Sequence, residues 1–356
     1  MHVYFDIQHF YYIPQYLPVK SALEQRQVEC TFVLYEQKYM DQTMIDFAKK
    51  QKLNYLRVNN EDDARLLYEK NKPDWIIFGN SFSSLSKIHR HSRTALMLHG
   101  IGPKACYYDV SESDIQYRFI EGNLRRSRLI ETYPDKKFID TGYAKLDPII
   151  NGTQPTLDFG SLGLDPDKQT ILYAPTYYPS SIEKLPDDFP AKLEAFNLII
   201  KPHYFSLTKK RYKKQQAKFE TWRNYSNVYL AKAEEISILP FMEVADVLIS
   251  DTSSTLFEFT ALNKPAIWCD FFKVRWSYRG IFKWRLDKRL DQDLAYFDKV
   301  ATKVTNLKEL LTQVVIQIND PSLKEKDRLE MREDLTGTVD GRCSERIAEF
   351  LINDKE

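Results

Sequence analysis

The stretch that decides the fold is VLISDTSSTLFE, residues 247–258. Its first four residues are apolar or small and predict a short buried strand, Val247–Ser250. A hydroxyl-dense turn follows and leads into TLFEFTAL, which is typical of the start of a helix. Strand–turn–helix units of this kind build parallel sheets, because two parallel strands must be joined by a crossover connection.

The same pattern recurs along the chain, with strands about 20–25 residues apart as βαβ units require. The predicted strands are His2–Ile7, Glu29–Tyr35, Leu53–Val58, Asp74–Gly79, Thr94–Leu98, Tyr117–Glu121 and Lys137–Thr141, then Thr170–Ala174, Asn197–Lys201, Asn227–Leu230, Val247–Ser250 and Ala266–Asp270. Helices are predicted at Pro14–Gln27, Tyr39–Lys50, Glu61–Asn71, Leu85–His91, Asn306–Ile318 and Pro321–Glu356. The pattern indicates an α/β protein with doubly wound parallel sheets.

A domain boundary is predicted in NGTQPTLDFGSLGLDPDK, residues 151–168, where Gly, Pro, Asp and Asn cluster. The strand pattern stops before this segment and restarts after it. We therefore expect two Rossmann-like domains facing a central cleft, residues 1–155 and 156–356, with terminal helices in the second.

Composition excludes several classes of protein. Lys and Arg number 51 against 50 Asp and Glu, so no global field draws the chain to nucleic acid, and no nucleic-acid partner is expected. Glycine is scarce at 11 of 356 residues, which disfavours a glycine-rich phosphate loop. The four cysteines form no CxxC pair, and no apolar run approaches the ~18 residues of a membrane span. We expect a cytoplasmic protein with reduced thiols.

Polar groups follow four of the predicted strands, at the edge where ligands bind to such sheets. These strand ends are His99-Gly100, Ala174-Pro175-Thr176, Lys201-Pro202-His203 and Ser250-Asp251. The last continues into Ser253, Ser254 and Thr255 at a predicted helix N-terminus, which suits a phosphate. A capping box between Thr255 and Glu258 is an equally good explanation of that turn.

Two histidines are candidates for chemistry. His99 stands at a strand end beside the small Gly100 and could act as a general base, although a histidine satisfied by a loop carbonyl is the commoner case. Lys201 and His203 supply a cation and an imidazole that suit a diphosphate. A solvated surface turn is the alternative for this pair.

A basic and aromatic segment, KVRWSYRGIFKWRLDKR, spans residues 273–289. Interleaved cations and tryptophans suit an anionic membrane surface, and also a polyanionic chain or single-stranded nucleic acid. Arg279 within it is a further candidate for donor phosphates. A second basic run, Lys209–Lys218, is interpreted as a solvated helix face. No metal-binding motif is present, so neither a cofactor nor a dedicated metal site is expected.

Taken in order, several of these motifs resemble the CDP-glycerol glycerophosphotransferase family, the teichoic-acid primases and polymerases. The matching segments are His99-Gly100 with Lys104, Thr141–Asp147, Tyr173–Thr176, Lys201–His203, Ser250–Ser254, and Asp340–Arg342 with Ser344–Arg346. Each is weak alone, but the ordered set runs from about residue 95 to the end of the chain.

The resemblance implies a GT-B fold and transfer of a phosphopolyol from a CDP-linked donor to an acceptor hydroxyl, with release of CMP. It implies His99 as general base, with Gly100 and Lys104 on the acceptor side. It also implies that His203 acts on the donor diphosphate. The donor phosphates would be held by Ser253, Ser254, Thr255, Lys201 and Arg279, and the nucleotide by Pro175, Thr176, Asp251 and Glu258.

The expected partners are CDP-glycerol or a similar CDP-polyol and a polysaccharide or lipid-linked acceptor. A membrane surface could be reached through Lys273–Arg289, at the inner face of the cell membrane. Two other classes stay open: a GT-B nucleotide-sugar glycosyltransferase or UDP-sugar epimerase, and a non-enzymatic surface-binding protein.

Overall fold

The chain forms two compact units, each built on one parallel β-sheet. The structure is a computed structural model and describes residues 1–102, 106–274 and 292–354. Unit 1 comprises Met1–Ile101, Cys106–Thr153 and Glu333–Glu356. Unit 2 comprises Gly102–Ala105 and Gln154–Arg332.

All strand pairs of both sheets are parallel. Unit 1 has β1 His2–Ile7, β2 Glu29–Tyr35, β3 Tyr55–Val58, β4 Trp75–Phe78, β5 Arg93–Met97, β6 Tyr117–Ile120 and β7 Lys137–Asp140. Unit 2 has β8 Thr170–Ala174, β9 Asn197–Ile200, β10 Val228–Leu230, β11 Val247–Ser250, β12 Ala266–Cys269 and β13 Thr302–Val304. The prediction of two Rossmann-like parallel sheets is confirmed. The edge strand β13 was not predicted; its three residues, TKV, are only one-third buried and form no apolar run.

Strand order gives each sheet one point at which the winding reverses. The orders are β3-β2-β1-β4-β5-β6-β7 and β10-β9-β8-β11-β12-β13. The chain therefore starts at the centre of each sheet, proceeds to one edge, and returns to build the other half. The reversals lie between β1 and β4 and between β8 and β11, and sheets of this kind bind ligands at such places.

The α-helices that the structure describes are α1 Ile13–Glu24, α2 Asp41–Lys50, α3 Glu61–Asn71, α4 Cys106–Asp109, α5 Asn123–Thr132, α6 Asp147–Ile150, α7 Phe159–Leu162, α8 Tyr204–Thr208, α9 Lys213–Trp222, α10 Leu239–Val244, α11 Thr255–Ala261, α12 Phe297–Val300, α13 Leu307–Asn319, α14 Glu325–Thr336 and α15 Cys343–Asn353. One predicted helix differs. Leu85–His91 contains only a 3₁₀ turn, Ile88–Arg90. The predicted helical tail, Pro321–Glu356, contains α14 and α15, which are separated by Gly337 and Gly341 with positive φ angles of 75° and 72°.

The C-terminal helix α15 belongs to unit 1, whereas the sequence pattern placed the tail in the second domain. Asp147 explains this, because its carboxylate accepts hydrogen bonds from the Cys343 and Ser344 N–H groups and from the Ser344 hydroxyl, at 3.2, 2.6 and 2.6 Å. An acidic side chain at a helix N-terminus is favoured by the helix dipole and satisfies free N–H groups.

A second link holds the same helix. Arg346 Nη1 donates to both carboxylate oxygens of Asp340, at 3.0 and 2.8 Å, and Nε donates to the Thr141 carbonyl at 3.0 Å. Gly142 has φ +76°, and a Cβ there would lie 2.7 Å from Cys343 Sγ. Two of the segments that resemble the family therefore contact each other within unit 1: Thr141–Asp147 and Asp340–Arg346.

Unit 1 also buries a carboxyl at the centre of its sheet. Asp6 of β1 is fully buried and accepts hydrogen bonds from the hydroxyls of Tyr35 and Tyr68, at 2.8 and 2.7 Å. Burial raises the pKa of Asp6 to about 7, although both tyrosines partly oppose that shift. A carboxyl whose pKa is raised in the folded state binds a proton more tightly there than in the unfolded chain.

We therefore expect Asp6→Asn to flatten the pH dependence of stability. Between pH 8 and pH 5 the folded wild type takes up a proton at Asp6 that the unfolded chain binds less tightly, so its stability rises as pH falls. The difference between the urea midpoints of wild type and variant should therefore grow in favour of the wild type as pH is lowered. Asp135→Asn, at an exposed carboxyl of unit 1, is the control. A difference that is constant over this range would contradict the prediction.

Candidate active site

The winding reversal of unit 2 brings together two of the predicted strand ends. Ser250, the last residue of β11, pairs in register with Ala174, the last residue of β8. The Ser250 hydroxyl donates to the Ala174 carbonyl at 2.6 Å and contacts the Thr255 hydroxyl at 2.9 Å. The hydrogen bond between Ser250 and Ala174 therefore links the ends of β11 and β8, from which the two turns start. Sheets of this kind bind ligands at that edge.

Asp251 organises the turn after β8. It is only 1% exposed, and its carboxylate accepts from the Thr176 N–H at 3.1 Å, the Ser180 hydroxyl at 2.8 Å and the Ser181 N–H at 3.0 Å. Burial raises the pKa of Asp251 to about 6, and these hydrogen bonds oppose the shift. Asp251 therefore positions Thr176, and its predicted contact with a nucleotide stays a prediction.

The serine turn departs from a capping box. Ser254, the residue before α11, makes no side-chain hydrogen bond to a helix N–H, and its hydroxyl donates to Glu258 Oε1 at 3.2 Å. The Thr255 hydroxyl contacts the Ser253 hydroxyl at 3.1 Å. Glu258 is 1% exposed, so its carboxylate lies beneath the turn rather than at its surface. The three hydroxyl-bearing residues are half-buried, and their role with phosphates stays a prediction.

Gly102 packs within unit 2 against the same turn. Its φ is +122°, and a Cβ at this position would lie 3.3 Å from Ser254 Cα and 3.5 Å from a ring carbon of Phe257. A side chain here would be strained by the backbone and crowded by its neighbours. Glycine is thus needed at this place, two residues before the predicted acceptor-side Lys104.

The imidazole of His203 is oriented by the start of α8. Its Nδ1 accepts a hydrogen bond from the Phe205 N–H at 3.1 Å, so in the neutral ring the proton is on Nε2. The backbone N–H of His203 donates to the Pro175 carbonyl at 3.3 Å, and Lys201 N–H donates to the Tyr173 carbonyl at 2.9 Å. Lys201 and His203 therefore follow β9 directly beside the end of β8, with the Tyr177 ring 4.7 Å from the imidazole.

The other histidine, His99, lies in unit 1 after β5. Tyr12, in the 3₁₀ turn Phe10–Tyr12 that follows β1, stacks on its ring with centroids 4.4 Å apart and planes 16° from parallel. Tyr11 and Tyr107 meet the same ring edge to face. The His99 carbonyl accepts from the Tyr143 hydroxyl at 3.2 Å, and Gly100 is buried. His99 is thus half-buried in an aromatic setting that fixes its ring plane.

Two sets of residues in these sites were not predicted from the sequence. Ser180 and Ser181 hold Asp251, and their signal was the pair of hydroxyls soon after the end of β8. Tyr12 holds His99, and its signal was the FYY run, residues 10–12, after the first strand. Neither signal identifies its partner, because the two residues of each pair are at least 70 positions apart in the chain.

Several predicted residues lie outside the described residues. These are Lys104, Arg279 and all of the basic-aromatic segment except Lys273 and Val274. Within the described ranges, no group of three or more His, Cys, Asp or Glu residues could hold a metal ion. In the same ranges, no helix combines the length and apolar character needed to cross a membrane.

Comparison with known proteins identifies a family and a fold. A sequence model described as CDP-glycerol:poly(glycerophosphate) glycerophosphotransferase matches residues 108–353. A search of curated protein sequences found no significant match.

Solved structures match over nearly the whole chain. The wall teichoic acid polymerase TagF is 14% identical with a TM-score of 0.67, and the match covers 99% of this chain and 88% of that one. A histidine-to-asparagine variant of that polymerase, soaked with CDPG, is 13% identical with a TM-score of 0.65. That match covers 99% of this chain and 88% of the variant. The UDP-GlcNAc 2-epimerase from Neisseria meningitidis, bound to UDP-GlcNAc, is 14% identical with a TM-score of 0.62. That match covers 99% of this chain and 100% of the epimerase. At these identities the likeness shows the fold, which is of the GT-B class.

Proposed function

Since this chain belongs to the CDP-glycerol:poly(glycerophosphate) glycerophosphotransferase family, we propose that it transfers a glycerol phosphate or related polyol phosphate unit from a CDP-linked donor to an acceptor hydroxyl, releasing CMP. The chain is a transferase of the CDP-glycerol glycerophosphotransferase type. In the proposed reaction the acceptor oxygen attacks the phosphorus that bears the polyol. A new phosphodiester bond forms, the diphosphate bond to CMP breaks, and the acceptor proton passes to a base.

The observation that carries the donor half of the proposal is the arrangement at the unit 2 reversal. Lys201 and His203 follow β9, Thr176 follows β8, and the serine turn follows β11, on three neighbouring strands. Because parallel strands end at the same edge of a sheet, these groups share one edge. A cation, an Nε2–H donor and several hydroxyls are the groups that a diphosphate requires.

His203 is assigned to the leaving group. Its Nδ1 is occupied by the Phe205 N–H, so Nε2 is the atom that can donate to a diphosphate oxygen or protonate departing CMP. Ser253, Ser254 and Thr255 would contact the donor phosphates, together with Lys201 and Arg279. Pro175, Thr176, Asp251 and Glu258 would shape the nucleotide pocket, the two buried carboxylates by positioning their turns.

His99 is assigned to the acceptor, with Gly100 and Lys104 as further acceptor-side residues and unit 1 as the acceptor domain. A general base must hold its ring in one orientation, and stacking on Tyr12 does this. The acceptor would be a hydroxyl of a cell-surface glycan or of a lipid-linked precursor. A lipid-linked acceptor would be met at the inner face of the membrane, through the segment that starts at the exposed Lys273.

The test is nucleotide release from defined donors. We expect the purified protein to produce CMP from CDP-glycerol when a glycerol-phosphate-primed acceptor is present, with the acceptor gaining one or more glycerol phosphate units in its mass spectrum. CDP-ribitol tests the choice of polyol. Acceptor that does not gain mass from any CDP-polyol would contradict the proposal.

A UDP-sugar epimerase or glycosyltransferase is the second candidate. It is favoured by the solved epimerase, whose TM-score of 0.62 is close to that of the polymerase. UDP-GlcNAc supplied in place of CDP-glycerol separates the two. Thermal stabilisation by UDP but not by CDP, together with conversion of the sugar, would favour this second candidate.

A further inference from the structure

Unit 2 contains a cavity that the proposed reaction does not use. Its volume is about 740 Å³, within the range of pockets that hold drug-sized ligands. The start of helix α9 forms one wall, and Tyr178 and Ile182, from the segment after β8, form another. Lys273 and Val274 close a third side.

The lining is strongly cationic. The charged residues around the cavity are Arg211, Lys213, Lys214, Lys218 and Lys273, against the single carboxylate of Glu183. Lys218 is engaged with the Ile182 and Leu185 carbonyls, and Arg211 lies over the Tyr212 ring. The side chains of Lys213, Lys214 and Lys273 are exposed and make no ion pair or hydrogen bond with any residue of the described ranges. These three ammonium groups are therefore available to an anionic ligand.

Two residues that line the cavity also contain buried oxygen acceptors. Gln215 is 2% exposed, and its amide nitrogen donates to the Tyr177 carbonyl at 3.1 Å and to Glu183 Oε1 at 2.7 Å. Those two acceptors fix the orientation of the amide, so its oxygen is the free end. Gln215 Oε1 and Glu183 Oε2 are both buried and have no hydrogen-bond partner among the described residues. An unsatisfied buried oxygen is costly, and a ligand hydroxyl would satisfy it.

Cations and free acceptors together select a ligand with both phosphates and hydroxyls. We propose that this cavity binds a chain of glycerol phosphate units, the polymeric part of the acceptor, and this inference rests on the proposed function. Phosphates meet the three lysines, and glycerol hydroxyls donate to Gln215 and Glu183. The Tyr177-Tyr178 pair places the cavity beside the donor-site residues of unit 2, because Tyr178 lines the cavity while the Tyr177 ring contacts His203.

The test reverses charge at the cavity without disturbing the fold. Lys213 and Lys214 are the first two residues of α9, where acidic side chains suit the helix dipole better than basic ones. Lys213→Glu combined with Lys214→Glu should therefore fold normally. Lys308→Glu is the matched control, because Lys308 is the second residue of α13, exposed, in the same unit, and without a side-chain partner among the described residues.

The probe is a fluorescent glycerol phosphate oligomer, followed by anisotropy with the full-length protein. We expect the double variant to bind the oligomer about tenfold more weakly, because two favourable surface charges are replaced by two unfavourable ones. For the same reason, the affinity of the double variant should depend less steeply on salt. Lys308→Glu should bind like the wild type, and CDP-glycerol affinity should be the same in all three proteins.

Three results would overturn the inference: equal oligomer binding by wild type and double variant, a loss of CDP-glycerol affinity in the double variant, or lysine-dependent binding to phosphatidylglycerol vesicles with none to the free oligomer. Failure of the proposed function is distinguishable from these. An absence of CMP release with lysine-dependent oligomer binding intact would refute the transferase reaction and leave the polyol phosphate site standing.

Discussion

Replacing His203 by alanine is expected to lower the rate of CMP release about 100-fold or more, the scale of a lost acid–base group. The reason is the orientation of the ring. Nδ1 accepts from the Phe205 N–H, so in the neutral ring the proton that the imidazole can donate is on Nε2. Without it, the charge that builds on departing CMP loses a positioned donor. The measurement is steady-state CMP release from CDP-glycerol, with circular dichroism to verify the fold.

His203 also caps helix α8, so a structural role must be separated from a chemical one. His203→Asn does this, because the asparagine side chain is a good N-cap and can still accept from the Phe205 N–H, but it has no counterpart of Nε2. We expect this variant to melt like the wild type and to remain about as slow as His203→Ala. His91→Ala, at an exposed histidine, should be fully active. If His203→Asn is active, the role of His203 is to cap α8 and not to take part in the reaction.

The parallel sheets could be predicted from the sequence because their strands are buried on both faces. Segments such as WIIF at β4 and VLIS at β11 are continuous apolar runs bounded by polar residues, and each forms a strand within one or two residues of its predicted limits. Ligand binding at strand ends then follows from the geometry of any parallel sheet. His99, Lys201 and Ser250 were found by that rule alone.

The contact partners of these residues could not be predicted, because they depend on contacts between distant parts of the chain. The resemblance implies that Asp251 contributes to nucleotide binding, which stays a prediction, but it does not reveal what holds this carboxylate. Its burial against Ser180 and Ser181 follows from packing between turns that are 70 residues apart. The tail was assigned to the second domain by proximity in sequence, but Asp147 captures the N-terminus of α15 across nearly 200 residues.

The basic run Lys209–Lys218 shows how a local interpretation can be incomplete. Lys213 and Lys214 are exposed on a helix, as a solvated helix face requires. The sequence does not reveal that this helix start lines a cavity, nor that the side-chain oxygen of Gln215, a lining residue, is buried without a hydrogen-bond partner among the described residues. Those features require the segment after β8, which lies about 30 residues earlier in the chain.

Replacing His99 by alanine is the second large effect that we expect, again about 100-fold in CMP release. In the proposed reaction the neutral imidazole accepts the proton of the acceptor hydroxyl, and alanine puts no base in its place. The variant should still bind CDP-glycerol normally, because its defect is on the acceptor side. Added imidazole should restore part of the rate by replacing the missing base.

Tyr12 separates the position of His99 from its chemistry. Tyr12→Phe keeps a ring stacked on the imidazole at about the observed 4.4 Å and should stay close to wild-type activity. Tyr12→Leu removes the stacked ring and should lower kcat less than His99→Ala does, since the base is still present but less well oriented. If His99→Ala retains full activity, or if it loses CDP-glycerol affinity instead of turnover, His99 is not the acceptor base. The proton of the acceptor hydroxyl must then be taken by another group.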